Sequence, residues 1–195
     1  MKRRIIVGIT GASGALYGLR LLEALSVQET VETHLIISPT AQTIFDYELG
    51  DAAFTRAQSL AHRCHACDNL ASELASGSFL TEGMIIIPCS VKTLAAIAHG
   101  YGDTLLTRAA DVVLKERRKL VLVVRETPLH LGHIKNMAAV TTMGGIILPP
   151  VPAFYHKPKT IDDIVNHTIG KVLDLFSIEH HLYTRWAGEA GRNLQ

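Results

Sequence analysis

Short apolar runs recur along this chain at residues 4–9, 33–38, 84–88, 120–124 and 145–148, with helical patterns between them. The run Leu-Val-Leu-Val-Val at 120–124 is short and rich in β-branched residues, which favours a buried parallel strand over a helix. Helices are expected at 15–25, 40–48, 92–98, 105–115, 134–142 and 161–176, several of them starting just after Ser, Thr or Asp, as N-caps require. Such alternation predicts an α/β chain with a doubly wound parallel sheet. Residues 50–82 fit it least and are expected to form an excursion before the third strong strand. The Pro-rich stretch LPPVPAFYHKP at 148–158 resists both helix and central strand, so it is expected to be a rigid, extended loop overhanging the ligand edge.

With 195 residues, 48% of them hydrophobic, the chain can bury a substantial core, and one domain over residues 1–195 is expected. Lys plus Arg total 19 against 18 for Asp plus Glu, which argues against a nucleic-acid partner, so any anion recognition must be local. Glycines and Thr10 interrupt the apolar stretch of MKRRIIVGITG before a signal-peptide core is complete, and no segment approaches the ~20 apolar residues of a membrane span. The expectation is a soluble, cytoplasmic protein with no membrane partner. Cys64, Cys67 and Cys89 form an odd set unlike a disulfide framework, which points to a reducing compartment. The segment His62-Arg63-Cys64-His65-Ala66-Cys67 contains metal-ligating types, but a lone CxxC without a second ligand pair fits a surface loop or helix better, and no metal is assigned.

Ligands of open α/β sheets bind outside the carboxyl ends of the strands, so the residues there are the candidates for chemistry. The first strand runs into Gly8-Ile9-Thr10-Gly11-Ala12-Ser13-Gly14, whose glycines allow close backbone approach and whose following helix N-terminus favours phosphate or an electron-rich ring. Its GxxGxxG spacing departs from the dinucleotide fingerprint, and the second strand ends in Ser38-Pro39-Thr40 without an acidic residue, which suits a mononucleotide better. Ordinary helix capping explains these residues equally well when they are judged alone. The third strong strand ends in Pro88-Cys89-Ser90-Val91-Lys92-Thr93, again opening a helix; Cys89 there reads as a buried small hydrophobe rather than a nucleophile. In RAADVVLKERRKLVLVVRET at 108–127, Arg117, Arg118 and Lys119 read as solvated helix-end charges. Lys115 lies seven residues after Arg108, on the same helix face, and Arg125-Glu126 follows the fourth strand where an anion site and a proton-handling carboxylate belong. His130 and His133 are expected to cap or pack the next helix.

Together, ITGASGA at 9–15, PCSVKTL at 88–94, the stretch 108–133 and PPVPAFYHKP at 149–158 resemble the UbiX-type flavin prenyltransferases, once labelled aromatic-acid or phenylacrylic acid decarboxylases. The resemblance covers nearly the whole chain, leaving a variable segment near 50–75 and a C-terminal tail from about 177. It implies a three-layer, Rossmann-like or flavodoxin-like fold and a metal-independent transferase that joins the dimethylallyl group of dimethylallyl monophosphate to N5 and C6 of reduced FMN. The prenylated FMN would serve a UbiD-type decarboxylase. By motif, Gly11, Ala12, Ser13, Ser38, Ser90, Val91, Lys92 and Arg125 would hold FMN, and Lys115, Tyr155 and Lys171 the prenyl phosphate. Lysine at 171, where relatives often carry arginine, keeps the charge without the bidentate fork. Ser13, Glu48 and Glu126 match the positions that handle protons, with Arg108 orienting Glu126. The family commonly forms homododecamers with sites near subunit interfaces, and Arg185-Trp186 would pack either across such an interface or locally.

Three other functions remain open at this level: a flavin-dependent cysteine decarboxylase, a flavin carrier, and a decarboxylase acting directly on aromatic acids. The cysteine decarboxylases carry a substrate clamp with Met and Asn where this chain has PPVPAFYHKP. A carrier would have no use for Lys115, Glu126 and Tyr155 together.

Overall fold

Six parallel strands, β1 (Arg3–Ile9), β2 (Val31–Ile37), β3 (Arg63–His65), β4 (Gly83–Cys89), β5 (Lys119–Val124) and β6 (Ile146–Ile147), form one sheet in the order β3-β2-β1-β4-β5-β6. The computed structural model describes residues 2–186. Seven α-helices accompany the strands among the described residues: α1 (Ala15–Ser26), α2 (Pro39–Leu49), α3 (Asp51–Leu60), α4 (Val91–Ala98), α5 (Leu105–Lys115), α6 (Leu131–Thr142) and α7 (Ile161–Leu175). None is long and apolar enough to cross a membrane. The chain divides into two compact units, Met1–Pro149 with the whole sheet and Pro150–Gln195 with α7.

Alternation along β1 sorts the core. Ile6, with Ile36, Met84, Ile86, Leu120 and Leu122 of neighbouring strands, belongs to a buried cluster completed by Leu94 and Ile97 of α4 and Leu105, Leu106, Ala109 and Val113 of α5. The opposite face carries α1, where a Cβ added at Gly18 would lie 2.8 Å from Ile9 Cδ1 and 2.9 Å from the Ile87 carbonyl oxygen. Helices on both faces make this the three-layer, doubly wound arrangement expected from the strand pattern. Truncating one of the fully buried Leu or Ile side chains to Ala would cost about 2–5 kcal/mol.

Helix starts follow side-chain chemistry. Ser38 caps α2 by accepting the Ala41 N–H at 3.3 Å, with Pro39 in the first turn, where a missing N–H costs nothing. Ser90 caps α4, while Thr104 with Thr107 and Thr160 with Asp163 form reciprocal capping boxes on α5 and α7.

The excursion contains α3, the three-residue edge strand β3 and a single 3-10 turn at Glu73–Ala75. Arg118, expected to be solvated, instead donates to the carbonyls of Gly77 (2.6 Å) and Phe79 (2.9 Å), tying this excursion to the start of β5. Helix α6 begins three residues earlier than expected because His130 Nδ1 accepts the Gly132 N–H at 3.0 Å and acts as its cap. The Pro-rich residues 148–158 contain no helix or strand, only a turn at Tyr155-His156.

Candidate active site

At the switch point of this strand order, the chains leaving β1 and β4 go to opposite faces and open a crevice. Thr10 bridges it from within. Its buried hydroxyl donates to the Pro88 carbonyl at 2.8 Å and accepts the Ser90 N–H at 2.8 Å, fixing the β1 and β4 loops against each other.

Above Thr10 lies a cavity of about 560 Å³ in the first unit, lined by Gly11, Ala12 and Ser13 after β1, Ser38 and Thr40 after β2, Ser90, Val91 and Lys92 after β4, and Arg125 and Glu126 after β5. Every residue expected to hold the flavin is among them, together with two of the three proton-handling candidates. The volume falls in the range of small-molecule sites. Two helix N-termini, the Lys92 ammonium and the Arg125 guanidinium make the rim suited to an anion, and the backbone of Gly11 passes so close to Thr40 that an added Cβ would lie 2.6 Å from its Cβ. Such a cavity can take a flat ring carrying a phosphate. Glu126 is half-buried, with its carboxylate accepting the Thr127 N–H at 3.0 Å. Cys89, behind the wall, is fully buried, and burial pushes its thiol well above the ordinary range, so it holds no nucleophilic thiolate.

The N-terminus of α1, read from sequence as an open anion seat, is already filled. Gly14 supplies no side-chain cap, and Glu48, near the end of α2, accepts the Gly14 and Ala15 N–H groups. Glu48 therefore stands behind the Ser13 loop and not among the cavity-lining residues. The helix starts that line the cavity are those of α2, α4 and α5.

Arg108 and Lys115 do share a face of α5, but within this chain they leave the cavity. Arg108 pairs with Asp111 at 2.6 Å and donates to the Ala75 carbonyl, with no hydrogen bond to Glu126, and Lys115 pairs with Glu116 beside Gly77. In the second unit the Tyr155 hydroxyl lies 2.9 Å from His167 Nε2, and Lys171 follows His167 by one turn. Burial, then the neighbouring His156 and Lys171, holds His167 below the usual histidine range and keeps it neutral. Trp186 packs edge-on to Tyr155 and Arg185 pairs with Asp174, so these two residues make local contacts within that unit; the rest of the tail, 187–195, lies outside the described residues.

Thr10, Cys67, Thr104 and Thr107 line the cavity although none of them is expected there from the sequence. Thr10 was detectable from its place directly after β1, and Thr104 and Thr107 carry only a helix-start signal. Nothing near Cys67 in sequence indicates that the excursion returns to the site.

Residues 1–173 match the Flavoprotein family model. The chain is 53% identical over 188 residues to the flavin prenyltransferase UbiX of Escherichia coli strain K12, covering 95% of this chain and 99% of that protein. The crystal structure of AnUbiX in complex with FMN and dimethylallyl pyrophosphate superposes with a TM-score of 0.92 at 46% identity, covering 96% and 99% of the two chains. A dodecameric FMN-dependent UbiX-like decarboxylase from Escherichia coli O157:H7 superposes with a TM-score of 0.92 at 51% identity, covering 95% and 100%. Identity at this level over nearly the full length of both chains, with the expected loops converging on one cavity, places the chain in its family: it belongs to the UbiX flavin prenyltransferases.

Proposed function

We propose that this chain transfers the dimethylallyl group of dimethylallyl monophosphate to N5 and C6 of reduced FMN and releases prenylated FMN to a UbiD-type decarboxylase in the cytoplasm. The observation that carries this reading is the convergence of Ser38, Ser90, Lys92, Arg125 and Glu126 on a single cavity, in a chain whose relative holds FMN and dimethylallyl pyrophosphate together. Bound there, reduced FMN would supply the electron-rich ring for attack on the allylic carbon.

The chain's own groups do the rest. The hydroxyls of Ser38 and Ser90, the first-turn amides of α4 and the charges of Lys92 and Arg125 hold the flavin phosphate and ring without a metal. Fixed cations stabilise the charge that grows on the departing phosphate: Lys171 is assigned to it together with Tyr155, whose hydroxyl is oriented by neutral His167. Glu126 and Ser13, which both line the cavity, are assigned to proton exchange at the reacting ring or the leaving phosphate. Glu48, with its carboxylate on the Gly14 and Ala15 amides, acts on protons through the position of that loop. Arg108 and Lys115, which point away from their own cavity, are assigned to the site of a neighbouring subunit in a homododecamer; the dodecameric relative supports this reading.

Purified protein, incubated anaerobically with reduced FMN and dimethylallyl monophosphate, should yield a flavin heavier by one isoprenoid unit with altered absorbance. Absence of that adduct, with turnover of an aromatic acid by the protein and FMN alone, would replace this reading with direct decarboxylation.

A further inference from the structure

The His-Cys motif of the excursion does not act in the cavity chemistry, yet one of its histidines meets a partner from the sheet. His34, buried in β2, and His65, in β3, face each other with His34 Nδ1 and His65 Nε2 at 2.9 Å. Each ring's other nitrogen already has a partner. His34 Nε2 lies 3.1 Å from a Glu32 carboxylate oxygen, and His65 Nδ1 lies 3.0 Å from Ser72 Oγ. A carboxylate only accepts, so His34 carries its proton on Nε2 and turns a lone pair on Nδ1 toward His65. The carboxylate of Glu73 completes the group: ligand atoms of His34, His65 and Glu73 all lie within 4.8 Å of one another.

We propose that His34 Nδ1, His65 Nε2 and the Glu73 carboxylate bind a divalent first-row metal ion, zinc being the probe, that fastens the edge of the sheet and stays outside the prenyl-transfer chemistry. Two imidazoles and one carboxylate, with a water in the fourth position, form a common tetrahedral donor set. Zinc-bound donors stand about 3.3 Å apart, so the two nitrogens need only open slightly while Glu73 turns inward. The outer partners match what metal-bound histidines use: a carboxylate fixes His34 and a hydroxyl fixes His65.

The protons balance without net release. In the metal-free chain His65 Nε2–H donates to His34 Nδ1; on binding, that proton moves to His65 Nδ1 and is donated to Ser72 Oγ. The Ser72 hydroxyl, 3.4 Å from Glu73 Oε2, then donates to Glu73. Burial holds both histidines below their usual range, which keeps them neutral as ligands. Arg4, beside Glu32, and Arg63, paired with Glu73 at 2.7 Å, oppose the added charge, but Arg63 is largely exposed and can swing into solvent. The ion would hold β3 and the 3-10 turn to β2, two residues before Cys67 enters the cavity wall.

The test is equilibrium dialysis of chelator-treated full-length protein against zinc with elemental analysis, repeated with cobalt for its visible spectrum. One zinc per chain is expected in the wild type and in a Cys64→Ser/Cys67→Ser double variant, at least a tenfold weaker hold in His65→Gln and in Glu73→Gln, and a cobalt spectrum without thiolate charge transfer. No retained zinc, unchanged retention in both single variants, or a thiolate-to-cobalt band would overturn the proposal. Because the cobalt spectrum is read on unaltered protein, the proposal stands or falls even if a variant misfolds. Neither readout depends on prenyl transfer, so this site and the proposed reaction fail separately.

Discussion

Both carboxylate oxygens of Glu48 accept the backbone N–H of Gly14, at 3.0 and 2.9 Å, and one of them also accepts that of Ala15 at 2.8 Å. A side chain from the end of one helix thereby performs the capping that Gly14 cannot. Because Glu48 is exposed, its substitution by Ala should cost only about 1 kcal/mol of stability. Its effect on catalysis should be larger, since the Ser13 loop loses its anchor. Urea unfolding alongside adduct formation separates the two; equal, small effects on both would leave Glu48 as a cap alone.

Thr10 offers a sharper test of how the cavity floor is held. Replacing it with Val keeps the shape and the backbone N–H of residue 10 on the Pro88 carbonyl, but leaves the Ser90 N–H without its acceptor, at a cost of about 1–3 kcal/mol. Flavin affinity should fall with it, as measured by fluorescence titration, because Ser90 itself lines the cavity.

Within the site, Glu126→Gln should slow adduct formation by roughly 10²–10⁴ while FMN stays bound. Loss of FMN along with activity would make Glu126 structural. Lys171→Ala should instead raise the prenyl phosphate concentration needed for half-maximal rate by about 10-fold or more, as removal of one charge-assisted contact does. An unchanged phosphate dependence would remove Lys171 from the reaction.

The C-terminal segment carries a pH signature. The Arg185 guanidinium above all, with Tyr183 and His180, outweighs burial and holds the Asp174 carboxyl far below the usual range. A carboxyl with a depressed folded pKa stabilises above its unfolded value of about 3.9 and loses that contribution as pH falls toward the folded one. Burial and the Asp174 carboxylate push Tyr183 up to about 12, so its contribution is complete below pH 10 and lost as pH rises toward 12. Thermal melts of Asp174→Asn should therefore lie below wild type at neutral pH and converge with it in strong acid. A constant gap across pH 2 to 7 would contradict this coupling.

Legibility in the sequence follows where the physics is local. Four of the five apolar runs mark buried parallel strands, the fifth marks the half-buried edge strand β6, and the loops after the first four mark the cavity because topology puts them on one edge. Strand β3 escaped notice because Arg63-Cys64-His65 has no apolar alternation; its pairing comes entirely from the exposed edge of β2. Helix α3 was hidden by Gly50, whose φ of 81° breaks the chain between two helices that sequence pattern alone does not resolve. Arg118 looked like a solvated end charge because its acceptors, the carbonyls of Gly77 and Phe79, lie about 40 residues away in the chain. The occupation of the α1 N-terminus by Glu48, 34 residues on, was illegible for the same reason.

Ser38 and Ser90 cap the starts of their helices with their hydroxyl oxygens, and both residues line the cavity. Their rotamers are set when the helices form, so a ligand meets polar groups already immobilised and the ordering entropy falls on folding rather than on association. Evolution of this cavity toward another ligand is constrained accordingly: changing either serine alters the cavity lining and helix initiation together, which leaves Lys92 and Arg125, neither a cap nor a close backbone approach, as the positions freer to diverge.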